Sequence, residues 1–467
     1  MKGLIASTMS DSGKSLLVSG LAKILKMRPL KFQNMSLNSF PSKENEEIAF
    51  IQAFQAIGAN QDLDTDLNPV LLKPSGNGKV EVILFGRSMG IFSYEMYYDM
   101  IETIWKKIRE NLAIVDDRIV EGAGSIGEPN FLNIDISSIL PSIYYDLPII
   151  LILDVERGGA FASAYGVYNM LPPSLRSKLK GFIINKFRGN YKLLEPAVKW
   201  LEERTNMKYL GYIPYIEENI IMAEDSMNIH NVNSGSYRIG VIAYPYMSNF
   251  NEFSAFEGSN ASLEFIRNPE ILKGYDIIIL PGSKNTLESL KWLINNNFHN
   301  KLREKPVIGI CGGFQIMAKR LIDPYGLETG HKGEYKGLGI FDVEVIYENE
   351  KIVSWSYGED LENRQEVEGY EIRRGRIKYL SQKPLILISK RGLRDVEVFD
   401  GARSGNFIGF SIHGVFYSEF GRELLKEYGI YLKERNLFEH IKEKVNKIEE
   451  LIKKYLDIDE IRKIFNN

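Results

Sequence analysis

The chain of 467 residues has little cysteine, histidine or tryptophan: one, five and four residues. A lone thiol excludes an internal disulfide, so the fold does not depend on oxidation, which fits a protein of the cytosol. Long apolar runs are missing as well. The longest, LPIILILDV at 147–155, is too short to cross a bilayer and suits a buried strand. The opening MKGLIAS lacks the apolar core and small-residue cleavage site of a secretion signal, so a cytoplasmic location and no membrane partner are expected. Nor is there an excess of one charge. The net charge of −3 gives no electrostatic footprint for nucleic acid, and no such partner is expected. What remains is ordinary globular composition, with 44% hydrophobic and 25% charged residues, at a length that predicts two to four domains.

Short apolar runs alternate with helical patterns, which predicts an α/β protein with parallel sheets. KGLIAS, DDRIVEGAG, PIILILDV and KGFIINKF read as buried strands of a first domain over 1–232. NVNSGSY at 231–237 is polar and turn-rich and reads as a linker. RIGVIAYP, YDIIILPGS and KPVIGICGG then supply strands of a second domain over 237–432. In the charged tail, 433–467, Phe438, Ile441, Val445, Ile448, Ile452 and Tyr455 recur at three- and four-residue steps, as in an amphipathic helix docked on the body. No repeat or low-complexity tract is visible.

Two stretches carry chemistry. LIASTMSDSGKSLLVSGLAKIL at 4–25 reads as strand, loop and helix. Gly13-Lys14-Ser15 opens the helix as a Walker A loop does: backbone N–H groups cradle phosphate, Lys14 reaches the terminal phosphates and Ser15 holds Mg²⁺. Thr8 stands where the motif wants its first glycine, and Ser10, Asp11 and Ser12 complete the loop. Met9 occupies the position where partition ATPases of the MinD/ParA group carry a second lysine, which disfavours a dimerising switch ATPase. Glu121, in RIVEGAG, offers a second oxygen ligand for Mg²⁺, and Asp66 in DTDLNP is a candidate to join Mg²⁺ or substrate. Arg157, in LDVERGGAF, is placed to face phosphate or a carboxylate.

The second stretch is PVIGICGGFQ, which sets the only cysteine, Cys311, between an apolar strand and two glycines. This is the pattern of a nucleophile elbow. The N–H of Gly312, with a second donor at Gly282 in LPGSKNT, would stabilise a tetrahedral oxyanion. His413, in GFSIHGVF, follows another strand and is the expected proton acceptor, distant in sequence and adjacent in space.

The combination closely resembles the cobyric acid synthase family, over roughly residues 1–420. It rests on STMSDSGKS, KFQNMSLNS (31–39), DLNPVLLKP, VEGAGS, DVERGGAF, INKFRG, LEERT and AEDS in the first half, and on LPGSKNT, GICGGFQ, GYEI (369–372) and IHGVF in the second. The resemblance implies a P-loop synthetase domain like that of dethiobiotin synthetase, followed by a flavodoxin-like class I glutamine amidotransferase domain. It implies ATP, Mg²⁺ and glutamine, with four side-chain carboxylates of a corrinoid amidated through acyl phosphates. By the same resemblance Asn185 would read the nucleobase edge. Gln33, Asn34 and Asn38 are uncharged amides suited to a substrate rich in amides and carboxylates.

This chain departs from the family pattern in three places. Arg373 replaces the histidine of GYEIH. Val415 stands two residues after His413, where a full triad has an acid, so a Cys–His dyad is expected, its imidazole oriented by a backbone carbonyl or another side chain. The tail beyond about 432 lies outside the resemblance. Rival readings are the sibling a,c-diamide synthase, another carboxylate amidase, or a nucleotide-switched binding protein with a degenerate amidotransferase domain. Oligomeric state is left open, a homo-oligomer included.

Overall fold

The computed structural model describes residues 1–76, 78–217, 220–221, 231–233 and 235–466. The AEDS stretch at 223–226 lies outside the described residues. By packing, the chain divides into two units: Met1–Met35 with Ile48–Ile221 and His440–Asn467, and Ser36–Glu47 with Met222–Glu439. The linear division differs from this in two ways. A strap of the first half, Ser36–Glu47, packs with the second unit, and most of the tail packs with the first.

The first unit is built on six parallel strands in the order Lys208–Pro214, Leu179–Phe187, Ile149–Asp154, Gly3–Ser7, Arg118–Glu121 and Arg28–Leu30. Gly3–Ser7, Arg118–Glu121 and Ile149–Asp154 are buried along their whole length. Continuous apolar runs of this kind need cover on both faces, which a parallel sheet with crossover helices provides. The connections diverge to either side of Gly3–Ser7, so a crevice opens at its carboxyl end, where α/β sheets bind ligands. The tail helix Leu437–Tyr455 buries Ile441, Val445, Ile448 and Ile452 completely. It does so against Gly20 of the helix Lys14–Leu25 and Gly58 of the helix Phe50–Gly58, where a Cβ would meet Ile452 at 2.4 Å and Val445 at 2.4 Å. A smaller sheet runs Gln33–Met35, Val70–Gly76, Lys79–Leu84 and Arg87–Ser93.

In the second unit, five parallel strands are Tyr237–Ile242, Ala261–Ile266, Ile277–Leu280, Val307–Ile310 and Phe407–Phe410. Numbered in that order they lie 2-1-3-4-5, the flavodoxin arrangement. The expected linker contributes Val232–Asn233 as an antiparallel edge strand on Ala261–Ile266. Beyond Phe407–Phe410 the sheet continues antiparallel through Arg394–Ser404 and Pro384–Arg391 to a long hairpin of Phe341–Asp360 and Glu366–Tyr379. Among the described residues no helix is long and apolar enough to cross a membrane.

Candidate functional site

Cys311 ends the strand Val307–Ile310 and opens the short helix Gly312–Ile316. Its backbone is held at φ 49° and ψ −105° while its N–H donates to the Phe410 carbonyl at 2.8 Å. A non-glycine residue in this region costs about 1–3 kcal/mol, which the surrounding sheet must offset. The bend lifts the sulfur out of the strand's line at the carboxyl edge of the sheet.

His413 arrives at the same edge, three residues past Phe407–Phe410. It is located by Tyr370 of the GYEI motif. Tyr370 N–H donates to the His413 carbonyl at 2.9 Å, His413 N–H donates back at 2.8 Å, and the rings stack with centroids 5.3 Å apart. Gly369 permits this approach, because a Cβ there would stand 2.1 Å from the His413 carbonyl oxygen. Gly282 permits another, since its Cβ would lie 2.6 Å from His413 Cε1. A Cβ on Gly312 would meet the Ser283 nitrogen at 2.7 Å. The two glycines therefore border the space that Cys311 and His413 share.

The imidazole is not part of a bare dyad. Glu252, from the 3₁₀ helix Phe250–Phe256, places Oε1 3.0 Å from His413 Nδ1 and accepts the Gly414 N–H on Oε2 at 3.0 Å. Both side chains are fully buried. The alternative left open by the sequence, another side chain orienting the ring, is the one the geometry favours. Burial works against charge on His413, but Glu252 and then the Cys311 sulfur outweigh it and raise the imidazole to about 10. Nε2 has no hydrogen-bond partner of good geometry among the described residues. Glu252 sits 161 positions before His413 in a stretch without periodicity or motif, and no spacing rule points to it.

In the first unit the loop after Gly3–Ser7 turns through left-handed Asp11 (φ 58°) and Gly13 (φ 92°) into the helix Lys14–Leu25. Ser12 donates to the Met9 carbonyl at 2.9 Å, and Ser10 and Asp11 are exposed. Lys14 Nζ donates to Ser7 Oγ at 2.7 Å and to the Gly124 carbonyl at 3.1 Å. Glu121, fully buried, gathers Ser15 Oγ at 2.8 Å, Lys31 Nζ at 2.8 Å and Gln55 Nε2 at 2.5 Å. Lys31 and Gln55 were not singled out in the sequence, although a lysine ending a buried strand beside a phosphate loop is a visible signal. Thr8 Oγ1 and Gln55 Oε1 are buried without hydrogen-bond partners among the described residues. An orphaned amide oxygen of Gln55 beside the Glu121 carboxylate that Ser15 also meets fits a hard cation completed by water and phosphate oxygens.

Several expected site residues are engaged elsewhere. Asp66 forms ion pairs with Arg118 and, at 3.4 Å, with Arg28. These arginines begin the strands whose other ends approach the loop, so the expectation of Asp66 as a metal ligand is corrected: two guanidinium groups already neutralise it. Asn185 donates to the Ser12 carbonyl at 2.7 Å, bracing the phosphate loop. Gln33 accepts from the Tyr97 hydroxyl, and Asn34 donates to Gln52 Oε1 at 3.1 Å. Arg157 is exposed in the turn after Ile149–Asp154. Asn38 belongs to the second unit. Arg373 is buried, donating to Glu371 Oε1 from Nε at 3.0 Å and Nη2 at 2.6 Å, so the substituted position of GYEI is spent on an internal ion pair.

Comparison with known proteins accounts for both units. Residues 4–229 match the CobQ/CobB/MinD/ParA nucleotide-binding domain, and residues 238–420 match the CobB/CobQ-like glutamine amidotransferase domain. The chain is 36% identical over 481 residues to the probable cobyric acid synthase of Picrophilus torridus, covering 99% of each. It belongs to the cobyric acid synthase family. The cobyric acid synthase of Clostridium botulinum is 35% identical, again with 99% of each chain covered, and that of Thermodesulfovibrio yellowstonii 38% identical over 89% of this chain and 88% of its own. Coverage of 99% takes in the tail, which correctly belongs inside the cobyric acid synthase likeness. It agrees with the packing of His440–Asn467 in the nucleotide-binding unit.

Proposed function

We propose that the chain is a glutamine-hydrolysing, ATP-dependent amide ligase that converts adenosylcobyrinic acid a,c-diamide to adenosylcobyric acid by amidating the b, d, e and g carboxylates. The observation that carries this reading is the end-to-end similarity to cobyric acid synthases, across both units at once. In the second unit the Cys311 sulfur attacks the side-chain amide carbon of glutamine. The carbonyl oxygen takes the negative charge beside the N–H groups of Gly312 and Gly282. His413 Nε2 takes the thiol proton, gives it to the departing ammonia and then takes one from the water that cleaves the thioester to glutamate, while Glu252 holds the Nδ1 side of the ring. In the first unit a substrate carboxylate attacks the terminal phosphorus of ATP and ADP leaves. Ammonia attacks the acyl phosphate carbon, and inorganic phosphate departs. A carboxylate alone is a poor electrophile, and phosphorylation supplies its leaving group.

Lys14 and the backbone of 8–13 hold the phosphates. Ser15 and Glu121 would hold Mg²⁺, which would neutralise charge on the transferred group. Lys31 then meets a choice between Glu121 and an incoming anion. The test is mass spectrometry of a corrinoid a,c-diamide incubated with the protein, ATP, Mg²⁺ and glutamine. Four sequential replacements of OH by NH₂ are expected. Two replacements on an unamidated corrinoid would instead favour the a,c-diamide synthase reading, and no mass change would overturn both.

A further inference from the structure

Resting on that reading, the structure assigns Asn38 to the glutaminase as a positioning residue: with Asn249 it fixes the turn that aims Glu252 at His413. Glu252 stands at the start of the 3₁₀ helix Phe250–Phe256, whose first N–H groups have no partner within the helix. Asn38 Oδ1 accepts one of them, from Phe250, at 3.2 Å. The contact is reciprocal, because Ser39 N–H donates to Asn249 Oδ1 at 3.0 Å. Asn249 is the left-handed residue, φ 55°, that turns the chain into the helix. Asn38, Ser39, Asn249 and Glu252 are all buried, at 1, 0, 2 and 1% exposure, so water does not compete for these bonds. Asn38 is itself shaped by a local turn, its N–H donating to Ser36 Oγ at 3.1 Å.

The same strap also packs on the ring that backs the histidine. Phe40 packs on Tyr370 with centroids 5.0 Å apart, and Tyr370 stacks on His413. Asn251, next to Glu252, donates to the Tyr370 hydroxyl at 3.4 Å. Residues 38–40 therefore support both the carboxylate and the ring it orients. Four positions earlier, Asn34 packs in the first unit against Gln52. The NMSLN stretch is thus divided in its duties, with Asn34 serving one unit and Asn38 the other.

The experiment compares Asn38→Ala, Asn38→Asp and Asn249→Gly in the full chain, each driven by glutamine or by ammonium. Asn38→Ala is expected to lower glutaminase kcat by about ten- to a hundredfold, the scale of a small misplacement of a reacting group. The alkaline limb of its pH profile should move to lower pH, and the ammonium-driven rate and the corrinoid KM should stay as in the wild type. Asn249→Gly keeps the left-handed backbone, removes the other half of the clasp and should behave alike. Asn38→Asp retains the acceptor oxygen and should recover most of the rate. A fall in the ammonium-driven rate with a raised corrinoid KM would overturn the assignment in favour of substrate contact. A fall in kcat with an unmoved pH profile would reduce Asn38 to a structural part and overturn it too. Where Asn38→Ala does not fold, Asn249→Gly decides by the same readouts, and wild-type glutaminase in that variant sinks the clasp. A wild-type protein that makes no amide from ammonium would break the synthetase reading instead, while the glutamine readouts still test Asn38.

Discussion

A carboxylate 3.0 Å from Nδ1 fixes which imidazole nitrogen faces the thiol and stabilises the proton the ring carries. With His413 raised to about 10, the ring is charged at neutral pH and can protonate departing ammonia at once. Activity should fall as pH climbs through that value and the ring loses its proton. Glu252→Gln keeps a hydrogen-bonding group but removes the charge. With only the Cys311 sulfur left to oppose burial, the imidazole pKa drops, and the alkaline limb of glutaminase activity should shift to lower pH. Glu252→Ala removes orientation as well and should lower kcat/KM by about 10²- to 10⁴-fold, the usual range for positioned proton transfer. Both are read from steady-state glutaminase rates across pH, with circular dichroism as the fold control. An unchanged profile in Glu252→Gln would show that the carboxylate is a bystander.

Among the elements, the long hairpin of Phe341–Asp360 and Glu366–Tyr379 carries an unusual load. Glu371, fully buried, accepts from Arg373, from Arg391 Nε at 2.7 Å and from Ser356 at 2.8 Å. Burial would raise its carboxyl, but Arg373 and then Arg391 overcome that and hold it down to about 2. The folded value lies below the unfolded value of about 4.3, so this contribution to stability is complete above the unfolded value and is lost as pH falls toward the folded one. Arg373→Ala leaves a buried carboxylate with one guanidinium instead of two, a change that costs on the order of 3–5 kcal/mol when a buried pair is broken. Urea unfolding from pH 7 to pH 3 should show lower stability throughout and an acid transition beginning at higher pH than in the wild type. This hairpin was hard to see in the sequence for a physical reason. EVEGYEIRRGRIKY mixes charges into both faces of the strand, so the two-residue alternation that marks a half-buried strand is blurred. The parallel strands were legible because their residues are apolar on both faces. The tail's helix was legible for its 3.6-residue period, but what it packs against was not, since a period names a face and no partner. Cys311 and His413 follow strand ends, and Lys14 and Ser15 open a helix, each with a local signature. Glu252 has none, and Asn38 was visible only as one amide among several.

At the scale of the whole chain, the proposal holds two chemistries that variants should separate. Cys311→Ser removes the only thiol and with it the thioester, so glutamine hydrolysis and glutamine-driven amidation should fall to background. Supplied with ammonium at alkaline pH, where the free amine is abundant, the same variant should still amidate the corrinoid, because Lys14, Ser15, Glu121 and Lys31 are untouched. Lys14→Ala should do the reverse. It removes the cation that spans Ser7 and Gly124 at the phosphate loop, so amide formation should be lost with either nitrogen source while glutamine hydrolysis continues. The informative quantity is the ratio of glutamate released to amide formed, near one in a tightly coupled wild type and rising without limit in Lys14→Ala. If Lys14→Ala instead silences hydrolysis as well, the two chemistries are obligatorily linked, and the glutaminase fires only when the phosphate site is intact. If Cys311→Ser fails with ammonium too, the serine has disturbed more than a nucleophile, and the separation of nitrogen release from carboxylate activation is wrong.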